Sequence, residues 1–265
     1  MITEITEKYK LNDLNEIITD IEEHVLQAIR NGKTLGEQDD IDLLVPSLTT
    51  SLSLLRQIIL LIKNGFPDGA LILSRSIYEQ MIICAFIEEK DDAKKHEELL
   101  EKYFQDAELI RLKFLNEQAK RFKDEECIIK TDRLIKEHQE RFESSFGQYW
   151  WAKKKSFKDL SDEITKREDP CQGLVNNMHM EYKMACIAMH PSSFGNRMNI
   201  GSDVAGVDMR ARSTGHEHAL FLAVTSLISL VGYVFYYLQI DDEDILDELN
   251  RLGTHYLKLL QQNKI

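Results

Sequence analysis

Arg75 and Glu79 stand four residues apart inside Gly69–Ile87, a stretch that is otherwise apolar almost all round. At that spacing two side chains share one helix face, and an all-round apolar helix is one buried inside a bundle. A buried charge is tolerated when it is paired or hydrogen-bonded. The pair therefore either satisfies itself or faces a polar cavity, with the hydroxyls of Ser76 and Tyr78 beside it. Two readings stay open: a polar site built into a helical core, or an ion pair that only fixes helix register. Tyr182, Cys186 and His190 follow at four-residue intervals in a second helical stretch, Leu174–Met189, so they too share a face. Beyond them lie Pro191 and Ser192. Arg197, Arg210 and Arg212 fall in Ser192–Gly215, the longest run without helical periodicity, and His216 and His218 come next. A loop of that length in a compact domain is usually functional or disordered, and here it is expected to cover the site.

Several chemistries are excluded by spacing. The chain has no G-x-x-x-x-G-K-[ST] and no G-x-G-x-x-G phosphate cradle. None of the eight histidines has a Glu three positions before it, which removes the di-iron bundle pattern. His216-Glu217-His218 looks like a metal site, but residues two apart on a helix point to different sides. No metal and no cofactor are expected. The methionines at 178, 180, 184 and 189 read as core filler.

Arg210 to His216 and Arg212 to His218 each match Arg-x5-His, and Arg133 to His138 matches Arg-x4-His. Such spacings resemble the Arg-x4–6-His signature of HEPN ribonucleases, which are small helical bundles active as dimers. That resemblance implies an imidazole acting in acid/base attack by the RNA 2′-hydroxyl and an arginine steadying phosphate charge. The chemistry is sound, because His titrates near neutral pH and Arg forks onto phosphate. Arg212–His218 is preferred, since polar Ser213 follows Arg212, whereas the Arg133 match lies in a charged helix. A closer resemblance rests on Gly69-x5-Arg75-Ser76-x2-Glu79, on Trp150 with Phe157-Lys158-Asp159-Leu160, and on Tyr182-x7-His190-Pro191-Ser192. These resemble a bacterial family of unknown function over roughly Leu48 to Leu238. That likeness implies no activity, but it groups Arg75, Glu79, Tyr182 and His190. The candidate catalytic residues are thus His190, His218, Arg212 and Glu79; the candidate ligand-binding residues are Arg75, Tyr182, Ser192, Arg197 and Arg210.

The elements that must hold these groups are helical. Pro is scarce and alternating β-branched segments are almost absent, so the expected fold is all-α, a helical bundle in a single domain spanning 1–265. A net charge of −12 argues against a general nucleic-acid coat while leaving a local basic site open. The four cysteines show no C-x-x-C spacing and read as reduced thiols. The acidic, amphipathic N-terminal stretch lacks a signal-peptide layout, so a cytoplasmic location is expected.

Thr3–Arg30 reads as one amphipathic helix with Leu11, Leu14, Ile17, Ile18, Ile21, Val25 and Leu26 inward, stopped at Gly32. Pro46 is expected to open a helix through Lys63. Asn64-Gly65 and Pro67 then make a short turn into the Arg75 helix, giving an antiparallel hairpin. A charged helical hairpin is expected as an insertion at about 88–145, with Ile110, Phe114, Ile128 and Ile129 among its inner residues. Phe146–Phe157 sets two Trp, a Tyr and two Phe beside three Lys, and reads either as a base-stacking surface or as a loop anchor. Ala219–Leu238 is uncharged for twenty residues, long enough to span a bilayer. Its hydroxyls, Gly232 and following acids favour a buried bundle helix, without stable membrane insertion.

Two functions follow. One is a HEPN-like, metal-independent ribonuclease in stress or phage defence, acting on RNA as a homodimer. The other is a non-catalytic helical module binding a small ligand, such as a nucleotide, or a partner protein through the Arg/Glu/Tyr/His site.

Overall fold

In a computed structural model of the chain, the described residues are 2–32, 34–35, 38–88, 93–142, 149–154, 156–166, 170–189 and 215–262. They form helices and no strand, the all-α class expected. In chain order these are α1 (Ile2–Lys8), α2 (Leu11–Asn31), α3 (Gln38–Lys63), α4 (Pro67–Glu88), α5 (Ala93–Phe122) and α6 (Glu125–Phe142). A 3-10 turn (Trp150–Ala152) follows, then α7 (Phe157–Lys166), α8 (Pro170–Met189), α9 (His216–Tyr237) and α10 (Glu243–Gln262). The chain divides into two compact units: Met1–Cys84 with Arg167–Ile265, and Ala85–Lys166.

The first unit is assembled on α9, which packs against α2, α3, α8 and α10. Its residues from Ala219 to Val224 are at most 4% exposed, so the helix is buried on every side, as its composition requires. Each fully buried Leu or Val there contributes about 1.5–3 kcal/mol relative to exposure. Helices α3, α4 and α9 are all long and apolar enough to cross a membrane by length and composition, and 78% of the most apolar window of α9 is buried within the protein. Helix α10 comes close to α9 at Gly253, where a Cβ would already lie 3.5 Å from Ile228. The α3–α4 turn is the predicted hairpin. Gly65 takes φ 79°, a left-handed value that suits Gly, and Gly69 of α4 faces Leu61 of α3. Further along, Ser51 Oγ donates to Gln80 Oε1 at 2.8 Å, which sets the two helices antiparallel.

Three expectations in this unit are corrected. The first helix is interrupted: Tyr9 turns inward and Lys10 takes φ 49° between α1 and α2. No Gly or Pro marks that break, because burial of the Tyr9 ring drives it. On α2, Leu26 is 51% exposed, and Ala28 takes the inner position instead. Pro46 lies inside α3 rather than at its start. Leu43, Leu44 and Leu48 are buried on both sides of it, and that burial outweighs the one backbone donor Pro lacks. Side-chain hydroxyls also bond the carbonyls of that turn, Ser47 Oγ to Leu43 O at 2.7 Å and Thr49 Oγ1 to Val45 O at 2.8 Å.

The second unit holds the α5–α6 hairpin, the 3-10 turn and α7, and the charged segment predicted at about 88–145 lies within it. The seam of α5 and α6 is more polar than expected. Asn116 Nδ2 donates to Thr131 Oγ1 at 2.7 Å and to Asp132 Oδ1 at 2.8 Å, and His138 Nε2 meets Gln105 O at 3.0 Å. Ile110, Phe114 and Ile129, expected inside, are 57%, 59% and 71% exposed. Buried polar groups that satisfy one another occupy their place. The aromatic segment anchors the chain: Trp151 is 2% exposed, and Trp150 Nε1 donates to Asp106 Oδ1 at 2.6 Å. Ser156 caps α7 reciprocally with Asp159, receiving its N–H at 3.3 Å and giving its own at 3.0 Å.

Candidate functional site

Arg75 and Glu79 face Tyr182 across α4 and α8. Arg75 Nε donates to Glu79 Oε1 at 2.6 Å, and the Tyr182 hydroxyl donates to the same oxygen at 3.1 Å. The guanidinium lies 5.5 Å from the Tyr182 ring centre, within cation–π range, and the Tyr78 ring packs against the Tyr182 ring with centres 5.0 Å apart. Cys186, one turn along α8, also hydrogen-bonds the Tyr182 side chain. Helical spacing explains the convergence: 75 with 79, and 182 with 186, each present two groups on one face. The Arg75 and Glu79 side chains are 19% and 26% exposed. This corrects the expectation of a pair deep in apolar packing: the cluster is half-buried and reaches solvent.

Burial alone would lower the Arg75 pKa, but the hydrogen bond and charge of Glu79 outweigh it, so the net direction is up. Arg75 is therefore a fixed cation. The Tyr182 hydroxyl is pushed well above the usual phenol range, by burial first and then by the Glu79 charge and Cys186, with Arg75 opposing. It works as a hydrogen-bond donor, not as a base. With Nε given to Glu79, the outer edge of the guanidinium meets, among the described residues, only Met189 Sδ, 3.5 Å from Nη1, and a thioether is a weak acceptor. That edge is the fork that grips a planar oxyanion with two parallel bonds. Met189 is the last residue of α8, so the end of that helix lies at the cluster.

A second polar group sits at the start of α9. His216 is fully buried, edge-on to the Tyr9 ring at 5.4 Å, while the His218 side chain is 37% exposed with Nδ1 4.0 Å from Glu181 Oε1. The two imidazoles diverge, as residues two apart on a helix must. Glu181 is 13% exposed at its side chain; its Oε2 and His218 Nδ1 are buried polar atoms with no hydrogen-bond partner among the described residues. Glu217, 3% exposed, accepts the Tyr9 hydroxyl at 2.9 Å, and Tyr256 donates to the Tyr9 carbonyl at 2.9 Å. Burial, and then Glu217, push the Tyr9 hydroxyl above the usual phenol range. Tyr9 and Glu181 were missed in the sequence. Tyr9 lies just ahead of the inner stripe that begins at Leu11, and Glu181 reads as one more helix-surface acid.

His190, Ser192, Arg197, Arg210 and Arg212 lie outside the described residues. Arg133 and His138 do not form a site: exposed Arg133 pairs with Glu137 at 3.6 Å, and buried His138 packs edge-on to Trp150 at 5.9 Å.

No curated protein and no solved structure matches this chain. A profile described as a family of unknown function, DUF5677, matches residues 42–206, more than half of the chain. That span holds Arg75, Glu79, Tyr182, His190, Ser192 and Arg197, and ends before Arg210, Arg212 and His218. The chain belongs to the DUF5677 family.

Proposed function

We propose that this protein is a HEPN-like, metal-independent ribonuclease whose phosphate-binding group is Arg75. The observation that carries the reading is the contact between the Arg75 guanidinium and Met189, the residue that precedes His190. It supports an imidazole within reach of the oxyanion fork. In this reading Glu79 and Tyr182 hold the guanidinium, Arg75 grips the scissile phosphate, and His190 removes the 2′-hydroxyl proton. The 2′-oxygen then attacks phosphorus, the P–O5′ bond breaks, and the 5′-oxygen takes up a proton. The products are a 2′,3′-cyclic phosphate and a 5′-hydroxyl end. His218, set beside Glu181, with Arg212 six positions before it, is the second acid/base candidate. A cytoplasmic homodimer acting in stress or phage defence fits this chemistry.

Expression of wild type, His190→Ala, His218→Ala and Arg75→Ala, followed by growth and total-RNA integrity, tests the reading. Cleavage by the wild type in chelator, lost in Arg75→Ala and in one histidine variant, is expected. RNA left intact by wild type under every stress applied sinks it.

A second reading is favoured by the ion pair itself. Glu79 already neutralises Arg75, which suits a site that holds a ligand without turning it over. A non-catalytic module of this kind gives a thermal shift with AMP or inorganic phosphate that disappears in Arg75→Ala, and leaves RNA untouched.

A further inference from the structure

The second unit has a groove of its own, about 320 Å³ in volume, formed by the end of α4, α5, the 3-10 turn and α7. Its walls follow from the sequence. On α5, Lys95, Leu99 and Lys102 recur at i, i+4 and i+7 and make one stripe. The 3-10 turn closes on Lys153, whose φ of 55° and N–H to Trp150 O at 2.9 Å swing the chain back. Lys153 and Lys154 thereby join the rim. The floor is Trp151, braced edge-on by Phe86 at 6.0 Å and Tyr103 at 5.3 Å.

Four lysines line this groove against two acids, Glu98 and Glu163, in a chain whose net charge is −12. Lys154 is paired with Glu163. Lys102 and Lys153 have no ion-pair partner among the described residues. Like charges gathered at one place repel, and a concave wall focuses their field on whatever enters. An anion relieves that repulsion, and lysine binds phosphate as a point charge. The apolar part of the wall, Leu99 with the Trp151 and Phe86 edges, asks for a flat apolar group on the same ligand. The Glu98 carboxylate can accept hydrogen bonds from sugar hydroxyls. The volume falls at the small end of the range of ligand clefts, roughly 300–1,000 Å³.

The geometry points to a nucleoside polyphosphate site in this groove, with the phosphates on Lys95, Lys102 and Lys153 and the base against the Leu99–Trp151 wall. This site is separate from the Arg75 cluster and does not rest on the ribonuclease reading.

The test is calorimetric titration of the full chain with ATP, GTP and adenosine, with Trp fluorescence as a second signal. Saturable one-to-one binding of ATP or GTP is expected, weakened about tenfold or more in Lys102→Glu and less in Lys153→Gln. Added salt weakens it, and adenosine binds far more weakly. Circular dichroism of Lys102→Glu and Lys153→Gln checks that both fold. The proposal is overturned if neither triphosphate gives saturable binding, if both lysine variants bind like wild type, or if Arg75→Ala rather than Lys102→Glu abolishes it.

Discussion

The Tyr9–Glu217 and Tyr182–Glu79 hydrogen bonds of the first unit differ in surroundings. Tyr9 gives its hydroxyl to Glu217 at 2.9 Å where both residues are at most 3% exposed. Tyr182 gives its hydroxyl to Glu79 at 3.1 Å where the acid is 26% exposed and shared with Arg75. The same pairing serves two ends. Closed off, it ties α9 to the N-terminal turn and fixes register. Left half-open beside a cation, it holds a guanidinium whose outer edge meets Met189. The difference teaches that the partner and the exposure of a tyrosine–carboxylate pair, rather than the pair itself, separate a closed tie from a half-open polar cluster.

The largest expected effect tests the closed pair. Tyr9→Ala removes a fully buried ring and lowers unfolding free energy by about 3–5 kcal/mol, read from urea melts. Tyr182→Ala costs less than half of that, because its surroundings can relax into solvent. Equal losses would dissolve the contrast. Arg75→Ala sharpens it from the other side: RNA cleavage or ligand binding falls about a hundredfold or more, while stability moves by about 1 kcal/mol or less.

An alkaline titration comes next. The Tyr9 pKa is raised in the folded chain above its value of 10.0. The unfolded chain therefore loses this proton first, and the stability Tyr9 contributes is full below about pH 10 and falls as pH rises beyond it. Tyr9→Phe flattens that slope. A slope unchanged between wild type and Tyr9→Phe would place the alkaline loss elsewhere. The smallest effect belongs to Tyr182→Phe, about 1 kcal/mol or less, with Glu79 still holding Arg75.

The sequence made some of this legible. Gly32, Gly65 and Pro67 punctuate the helices as backbone chemistry predicts, and the unbroken apolar run of α9 announced burial on all sides. Of the grouped residues Arg75, Glu79, Tyr182 and His190, the first three share hydrogen bonds, as i,i+4 spacing and the two motifs suggest, while His190 lies outside the described residues. The break at Lys10 was not legible, since it comes from a contact made far along the chain and carries no local turn signal. Polar residues at the α5–α6 seam were missed for the same kind of reason. Asn116 and Thr131 look like surface residues until each is seen to satisfy the other, whereas Ile110, Phe114 and Ile129 mimic a core stripe.

The bond between Tyr9 and Glu217 joins residues 208 positions apart, and the first unit is split in the chain by the second. At roughly 5–20 residues per second, a ribosome takes about 10–40 s to deliver Glu217 after Tyr9 has emerged. During that interval the nascent N-terminal helices have no α9 to close on. The contiguous middle segment is complete well before then. Its hairpin is thus free to form first, and the fold is sealed only when the penultimate helix arrives.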